Sequence, residues 1–115
     1  MNLKSDHSWG TEEIWAMTPH YVAKILTLNP DANFSMQLHE RKEKTIRVVA
    51  GGVRVHYRSE EDELWGAGPI TYSELKPGDR FHVRPGQIHR FEPLEKNTVV
   101  WEVSTPEIDD VIELG

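Results

Sequence analysis

Two short segments carry the side chains with the clearest capacity for chemistry. The first contains Gln37 and His39, and the second runs through Arg84-Pro85-Gly86 to His89. Imidazole nitrogens bind Zn, Fe, Ni or Mn, and an amide oxygen can complete a borderline ligand set. If the segments converge, Gln37, His39 and His89 form a candidate metal site whose ion polarises a carbonyl or organises a diol. Alternatively, both histidines are hydrogen-bonded residues that line a cavity without a metal.

The elements that must position these residues are short strands. Apolar residues alternate with period two far more often than with period 3.6, and turn residues recur at short intervals, which predicts an all-β sandwich or barrel. Glycine, proline, asparagine and aspartate at 29–31, 51–52, 76–79 and 84–86 predict the turns. The predicted strands are Ile14–Met17, Tyr21–Leu28, Ser35–Leu38, Thr45–Ala50, Val53–Tyr57, Thr71–Ser73, Arg80–Val83, Ile88–Phe91 and Thr98–Val103.

Strand alternation also predicts where Lys44 points. Successive side chains of a strand face opposite sides, so Lys44 shares a face with Ile46 and Val48 and is expected inside the barrel. A cationic lysine there repels a divalent metal. It is either a desolvated general base suited to sugar enolisation or a buried lysine paired with a carboxylate.

The same alternation applied to residues 34–39 predicts two different faces. Gln37 and His39 share one face, and Phe34, Met36 and Leu38 share the opposite, apolar face. A large exposed apolar patch is uncommon on a soluble monomer, so we expect a homodimer interface or a covering N-terminal strand.

Composition excludes several classes of protein. A chain of 115 residues predicts one domain over residues 1–115, and its net charge of -6 argues against a nucleic-acid partner. Because there is no cysteine, disulfides and thiolate metal sites are excluded. No apolar stretch approaches the roughly 20 residues needed to span a membrane, and the first ten residues do not look like a signal peptide. We therefore expect a cytoplasmic protein without a membrane partner.

At these residues the chain resembles the cupin superfamily, and specifically small cupins similar to the C-terminal domain of mannose-6-phosphate isomerases. The first cupin motif is matched by Gln37, His39, the position of Lys44, and Gly51. The second is matched by Gly78, Arg84-Pro85-Gly86 and His89-Arg90-Phe91. The resemblance covers about residues 9–114 and implies a double-stranded β-helix, or jelly-roll barrel.

The resemblance implies an aldose–ketose isomerase acting on a sugar or sugar phosphate. Gln37, His39 and His89 would hold a divalent metal (Zn, Mn, Fe or Ni), and Lys44, His39 and His89 would form the catalytic group. Arg84 and Arg90 would contact phosphate at the rim. In this chain Lys44 replaces the family's metal-binding glutamate and Arg84 replaces a common proline, so metal binding should be weakened. The alternative is a non-catalytic carbohydrate-binding cupin that has lost its metal site.

Overall fold

Eleven antiparallel strands form two sheets in the computed structural model of the chain, which describes residues 3–31, 34–58, 69–107 and 110–114. The strands are β1 (Leu3–His7), β2 (Gly10–Met17), β3 (Val22–Leu28), β4 (Gln37–Leu38), β5 (Lys44–Ala50), β6 (Val53–Arg58), β7 (Ile70–Leu75), β8 (Arg80–Val83), β9 (His89–Pro93), β10 (Thr98–Ser104) and β11 (Ile112–Glu113). The six-stranded sheet has the order β1-β2-β3-β10-β5-β8, and the five-stranded sheet has the order β11-β4-β9-β6-β7. None of the described segments forms an apolar helix of membrane-spanning length.

The predicted turns carry the chain from one sheet to the other. The turn at Gly51 connects β5 to β6, which lie in opposite sheets. Gly51 has φ of 78°, and a Cβ there would lie 2.3 Å from the hydroxyl oxygen of Thr98, so only glycine fits. Strands that alternate between facing sheets in this way make a jelly roll.

The core lies between the sheets and confirms the predicted direction of β5. Ile46 and Val48 are fully buried, whereas Arg47 and Val49 between and beyond them are exposed. Lys44 shares the buried face, as its position in the alternation predicts. The other core side chains are Leu28, Val53, Val55, Leu75 and Val100.

All nine predicted strands are present, and the described residues form two further strands, β1 and β11. β1 is exposed along its whole length, so it has no alternation of apolar and polar residues that could reveal it. It pairs with β2, which begins at Gly10 rather than at Ile14. β11 pairs with β4 through Ile112 and Glu113 in the C-terminal segment.

The predicted apolar face of residues 34–38 is wrong at Phe34. Only Gln37 and Leu38 of this segment are in a strand, so strict alternation does not apply to residues 34–36. Phe34 instead packs inward against the core, with its ring 5.8 Å from the ring of Trp9. The three side chains therefore do not share one outward surface, and the predicted homodimer loses the interface on which that prediction was based.

Candidate functional site

A cavity of about 530 Å³ lies between the two sheets and has a mixed aromatic and charged wall. Trp9, Phe34 and Phe91 supply aromatic surface. The polar side chains on the wall are Glu12, Lys24, Ser35, Gln37, His39, Lys42, Lys44, Glu102 and Glu113. The volume falls within the roughly 300–1,000 Å³ of small-molecule pockets, whose usual lining is apolar surface with a few placed polar groups.

The structure brings the two predicted histidines together. His39 lines the cavity just beyond β4, and His89 lies beside it at the start of β9, with 5.3 Å between the ring centroids. Gln37 also lines the cavity, and it is paired with His89 across β4 and β9. The structure therefore brings together the three residues that the sequence placed in one candidate metal site.

Hydrogen bonds fix both imidazoles in the same tautomer. Nδ1 of His39 donates to the carbonyl oxygen of Asp110, and Nδ1 of His89 donates to the carbonyl oxygen of Gln87 at 2.9 Å. Because a carbonyl can only accept, Nδ1 carries the proton and Nε2 keeps a lone pair. Both Nε2 atoms are buried without a hydrogen-bond partner among the described residues.

Both imidazoles are neutral near pH 7. Burial lowers the pKa of His89 to about 3, and the neighbouring Lys44 charge acts in the same direction. Burial also lowers the pKa of His39, with a further lowering by Lys44, against the opposing effect of the Asp110 carbonyl. The Lys44 charge is the strongest of the side-chain charges that act on each ring.

Lys44 is paired with a carboxylate on the neighbouring strand. Its Nζ lies 3.3 Å from Oε1 of Glu102, and both side chains are buried. The same Nζ lies 4.8 Å from the ring centroid of Phe91. Burial alone would raise the pKa of Glu102, but the charges of Lys44, Lys42 and Lys24 together hold that pKa at about 2. Lys44 is therefore a buried lysine paired with a carboxylate, which is one of the two alternatives that the sequence left open. Its partner Glu102 is ionised at neutral pH.

Two more lysines surround this pair. Lys24 on β3 makes an ion pair with Glu12 on β2, at 2.8 Å. Lys42 lies in the loop between β4 and β5 and is 5% exposed. Burial lowers the pKa of Lys42, whereas the Glu102 charge raises it.

The residues present do not fit a divalent metal centre. The two unpartnered Nε2 atoms are suitable donors, and Gln37 adds an amide. The position that would supply an anionic ligand instead holds the Lys44 ammonium. No cluster of three or more His, Cys, Asp or Glu side chains suited to a metal occurs in the part of the chain that the structure describes.

Arg84 and Arg90 do not line the cavity. Arg84 is exposed at the turn after β8. Arg90 borders a separate shallow groove with His56, Arg58 and Ile88. The structure therefore does not bring either predicted phosphate contact to the candidate site.

Sequence reasoning missed the charged residues that surround Lys44. Glu102 shares the buried face of β10 with Val100, and Lys24 shares a face of β3 with Leu26, so strand alternation could have found both. Lys42 and Asp110 lie in loops, where no alternation exists. The Asp110 carboxylate accepts hydrogen bonds from the backbone N–H groups of Glu40, Arg41 and Lys42, at 3.1, 2.6 and 2.9 Å.

Several solved structures share the architecture. KdgF from Halomonas sp. has a TM-score of 0.74 and 24% identity, covering 94% of this chain and 91% of that chain. CapF, the capsular polysaccharide assembling protein from Staphylococcus aureus, has a TM-score of 0.78 and 17% identity, covering 99% of this chain and 32% of that one. Oxalate decarboxylase from Bacillus subtilis has a TM-score of 0.79 and 15% identity, covering 98% and 30%.

The chain thus spans about a third of the length of the CapF and oxalate decarboxylase chains. No family model and no curated protein matches it. Together with the two antiparallel sheets, these likenesses show that the chain has the cupin double-stranded β-helix fold.

Proposed function

We propose that the chain is a carbohydrate-binding cupin whose cavity holds a sugar or a sugar derivative. The observation that carries this proposal is the buried Lys44–Glu102 ion pair inside a cavity with an aromatic wall. The pair places the Lys44 ammonium beside two imidazole acceptors. Aromatic rings can cover the apolar face of a sugar while the polar groups bind its hydroxyls.

The likeness to known structures supports a carbohydrate ligand. One of them, CapF, is named as a capsular polysaccharide assembling protein. Fold alone does not set function, so the charged and aromatic residues of this cavity carry the proposal. A cytoplasmic location and the absence of nucleic-acid and membrane partners stay predictions.

Calorimetric titration of aldoses, ketoses and their phosphates into EDTA-treated protein tests the proposal. At least one sugar should bind to the wild type and raise its melting temperature. Ser35→Trp should abolish binding because Ser35 lines the cavity. Ser5→Trp on the exposed β1 is the control and should bind as the wild type does. If no sugar binds, or if both variants bind equally well, the cavity is not a carbohydrate site.

A second candidate is isomerisation, as in a mannose-6-phosphate isomerase-like cupin. It is favoured by the neutral His39 imidazole beside the Lys44 ammonium in the cavity. In an aldose–ketose interconversion, an acceptor takes the C2 proton and returns it to C1, while a hydroxyl proton moves from O2 to O1. His39 is the candidate acceptor. The Lys44 ammonium would stabilise the negative charge on the enediol oxygens.

Solvent exchange separates the two candidates. An isomerase should incorporate deuterium from D₂O into the sugar, observed by proton NMR, and His39→Gln should stop that exchange. A sugar that binds without exchange or interconversion identifies a binding protein. This outcome would eliminate the isomerase candidate and leave the first proposal intact.

A further inference from the structure

Lys42 is the unpaired lysine of the cavity. Lys24 has Glu12 within 2.8 Å, and Lys44 has Glu102 within 3.3 Å. Lys42 is as deeply buried as Lys44 and lines the same cavity, but it makes no ion pair with any described residue. A largely buried lysine that lines a cavity is stabilised by a counter-charge, so an anionic ligand would gain a charge-assisted contact at this position.

The buried charges of the cavity do not cancel. The buried lysines Lys42 and Lys44 face one buried carboxylate, Glu102. Lys24 and Glu12 are only partly buried and pair with each other. The remaining carboxylate on the wall, Glu113, is exposed on the two-residue strand β11. The buried part of the cavity therefore has one positive charge more than its carboxylates neutralise, and this excess matches one anionic group.

The backbone at Lys42 is held in place before any ligand arrives. Its N–H donates to Oδ2 of Asp110 at 2.9 Å, and the N–H of Arg41 donates to the same oxygen at 2.6 Å. Asp110 thus fixes the loop that carries the Lys42 side chain. A preorganised donor loses less conformational entropy on binding than a mobile one.

We propose that the Lys42 ammonium binds the anionic group, a carboxylate or a phosphate, of a sugar acid or a sugar phosphate in this cavity. The inference rests on the proposed carbohydrate function and narrows it to anionic sugars. It assigns to Lys42 the anion contact that Arg84 and Arg90 do not provide in this structure. An anion at this position would also favour the charged form of the amine.

The test compares ligands that share one carbon skeleton. Glucose, glucuronate and glucose 6-phosphate are titrated calorimetrically into the wild type at low and at moderate salt. At least one anionic form should bind about tenfold or more tightly than glucose, because a charge-assisted contact replaces a neutral one. The preference should shrink as salt increases. The favoured ligand shows whether the anionic group at this position is a carboxylate or a phosphate.

Variants then test whether Lys42 causes the preference for anionic ligands. Lys42→Met should reduce the ratio of anionic to neutral affinity to near one, and Lys42→Arg should keep most of it. Lys96→Met, at an exposed lysine, should leave the ratio at its wild-type value. Circular dichroism checks that each variant folds. If Lys42→Met does not fold, Lys42→Arg serves as the informative variant. An unchanged ratio in Lys42→Met, or a wild type that prefers glucose, overturns the proposal.

Acetate and inorganic phosphate distinguish failure of this inference from failure of the proposed function. If neither glucose nor its derivatives bind but the free anions bind in a Lys42-dependent manner, the anion site exists and the carbohydrate function is wrong. If glucose binds without any anion preference, the carbohydrate function stands and the Lys42 inference is wrong. If neither sugars nor anions bind, both are wrong.

Discussion

The Lys44 ammonium lies 3.3 Å from a carboxylate oxygen of Glu102, with both side chains buried on neighbouring strands β5 and β10. This ion pair places a cation of the protein itself beside His39 and His89. Both imidazoles keep a lone pair on Nε2, so the site combines acceptors with a built-in positive charge.

Lys44→Glu should strengthen metal binding relative to the wild type. Two unit charges about 4 Å apart interact by roughly 4 kcal/mol at an effective dielectric near 20, and the substitution reverses the sign. Zinc or manganese titrated under identical buffer should bind the variant at least 100-fold more tightly. The apo variant should be less stable because two carboxylates then face each other, and the metal should restore its melting temperature.

Lys96→Glu is the matched control, because it makes the same change of charge at an exposed position. It should leave metal affinity unchanged. Equal affinity in the wild type and Lys44→Glu would mean that Lys44 does not control the site.

Breaking the ion pair from one side should be costly. Glu102→Leu leaves the Lys44 charge buried without its partner and should lower the free energy of unfolding by roughly 3–5 kcal/mol. Lys44→Met should cost less, because the Lys42 and Lys24 charges still act on Glu102. The double variant should lose much less than the sum of the two single losses, because it leaves neither charge behind. Urea unfolding at pH 7 measures all four proteins. Additive losses would contradict a direct interaction.

Acid should destabilise the fold below about pH 6.5. The pKa of His89 is about 3 in the folded chain, below the usual value near 6.5, so the unfolded chain binds more protons between these pH values. The free energy of unfolding therefore falls as pH decreases through this range, by roughly 2–3 kcal/mol between pH 6.5 and 4.5 from His89. Urea unfolding across this range should give a shallower dependence for His89→Gln. The exposed His20→Gln should follow the wild type.

The outer face of the six-stranded sheet is the surface on which we now expect the homodimer. Trp15, Trp101 and Val103 lie on this sheet and are 54%, 49% and 52% exposed. An exposed apolar face of this kind marks an interaction site. Sedimentation at micromolar concentration should show a dimer for the wild type and a monomer for Trp101→Glu. Tyr72→Glu, at an equally exposed aromatic of the other sheet, should stay dimeric. A monomeric wild type would contradict the prediction.

Strand alternation predicted most of the fold and the central part of the site. It placed Lys44 correctly among Ile46 and Val48, because β5 is a regular strand with one buried face. It failed at Phe34, which precedes the two-residue strand β4 and follows no period. The exposed β1 gave no signal, since its pairing with β2 depends on backbone hydrogen bonds rather than on buried side chains.

The environment of Lys44 was harder to predict, because charged pairs have no period of their own. The position of Glu102 in the cavity could be predicted only by allowing a charged residue on the buried face of β10. Lys42 could not be placed, because its loop is fixed by Asp110, 68 residues away in sequence. Such contacts follow from the closed fold and not from local pattern.

The hydrogen bonds from the backbone of residues 40–42 to Asp110 can form only late in protein synthesis. Residues 40–42 emerge from the ribosome early, but Asp110, which accepts their backbone hydrogen bonds, is synthesised about seventy residues later. At about 5–20 residues per second, this segment follows by several seconds. A nascent chain therefore carries the residues of the cavity without its geometry, and ligand recognition is among the last properties that it acquires.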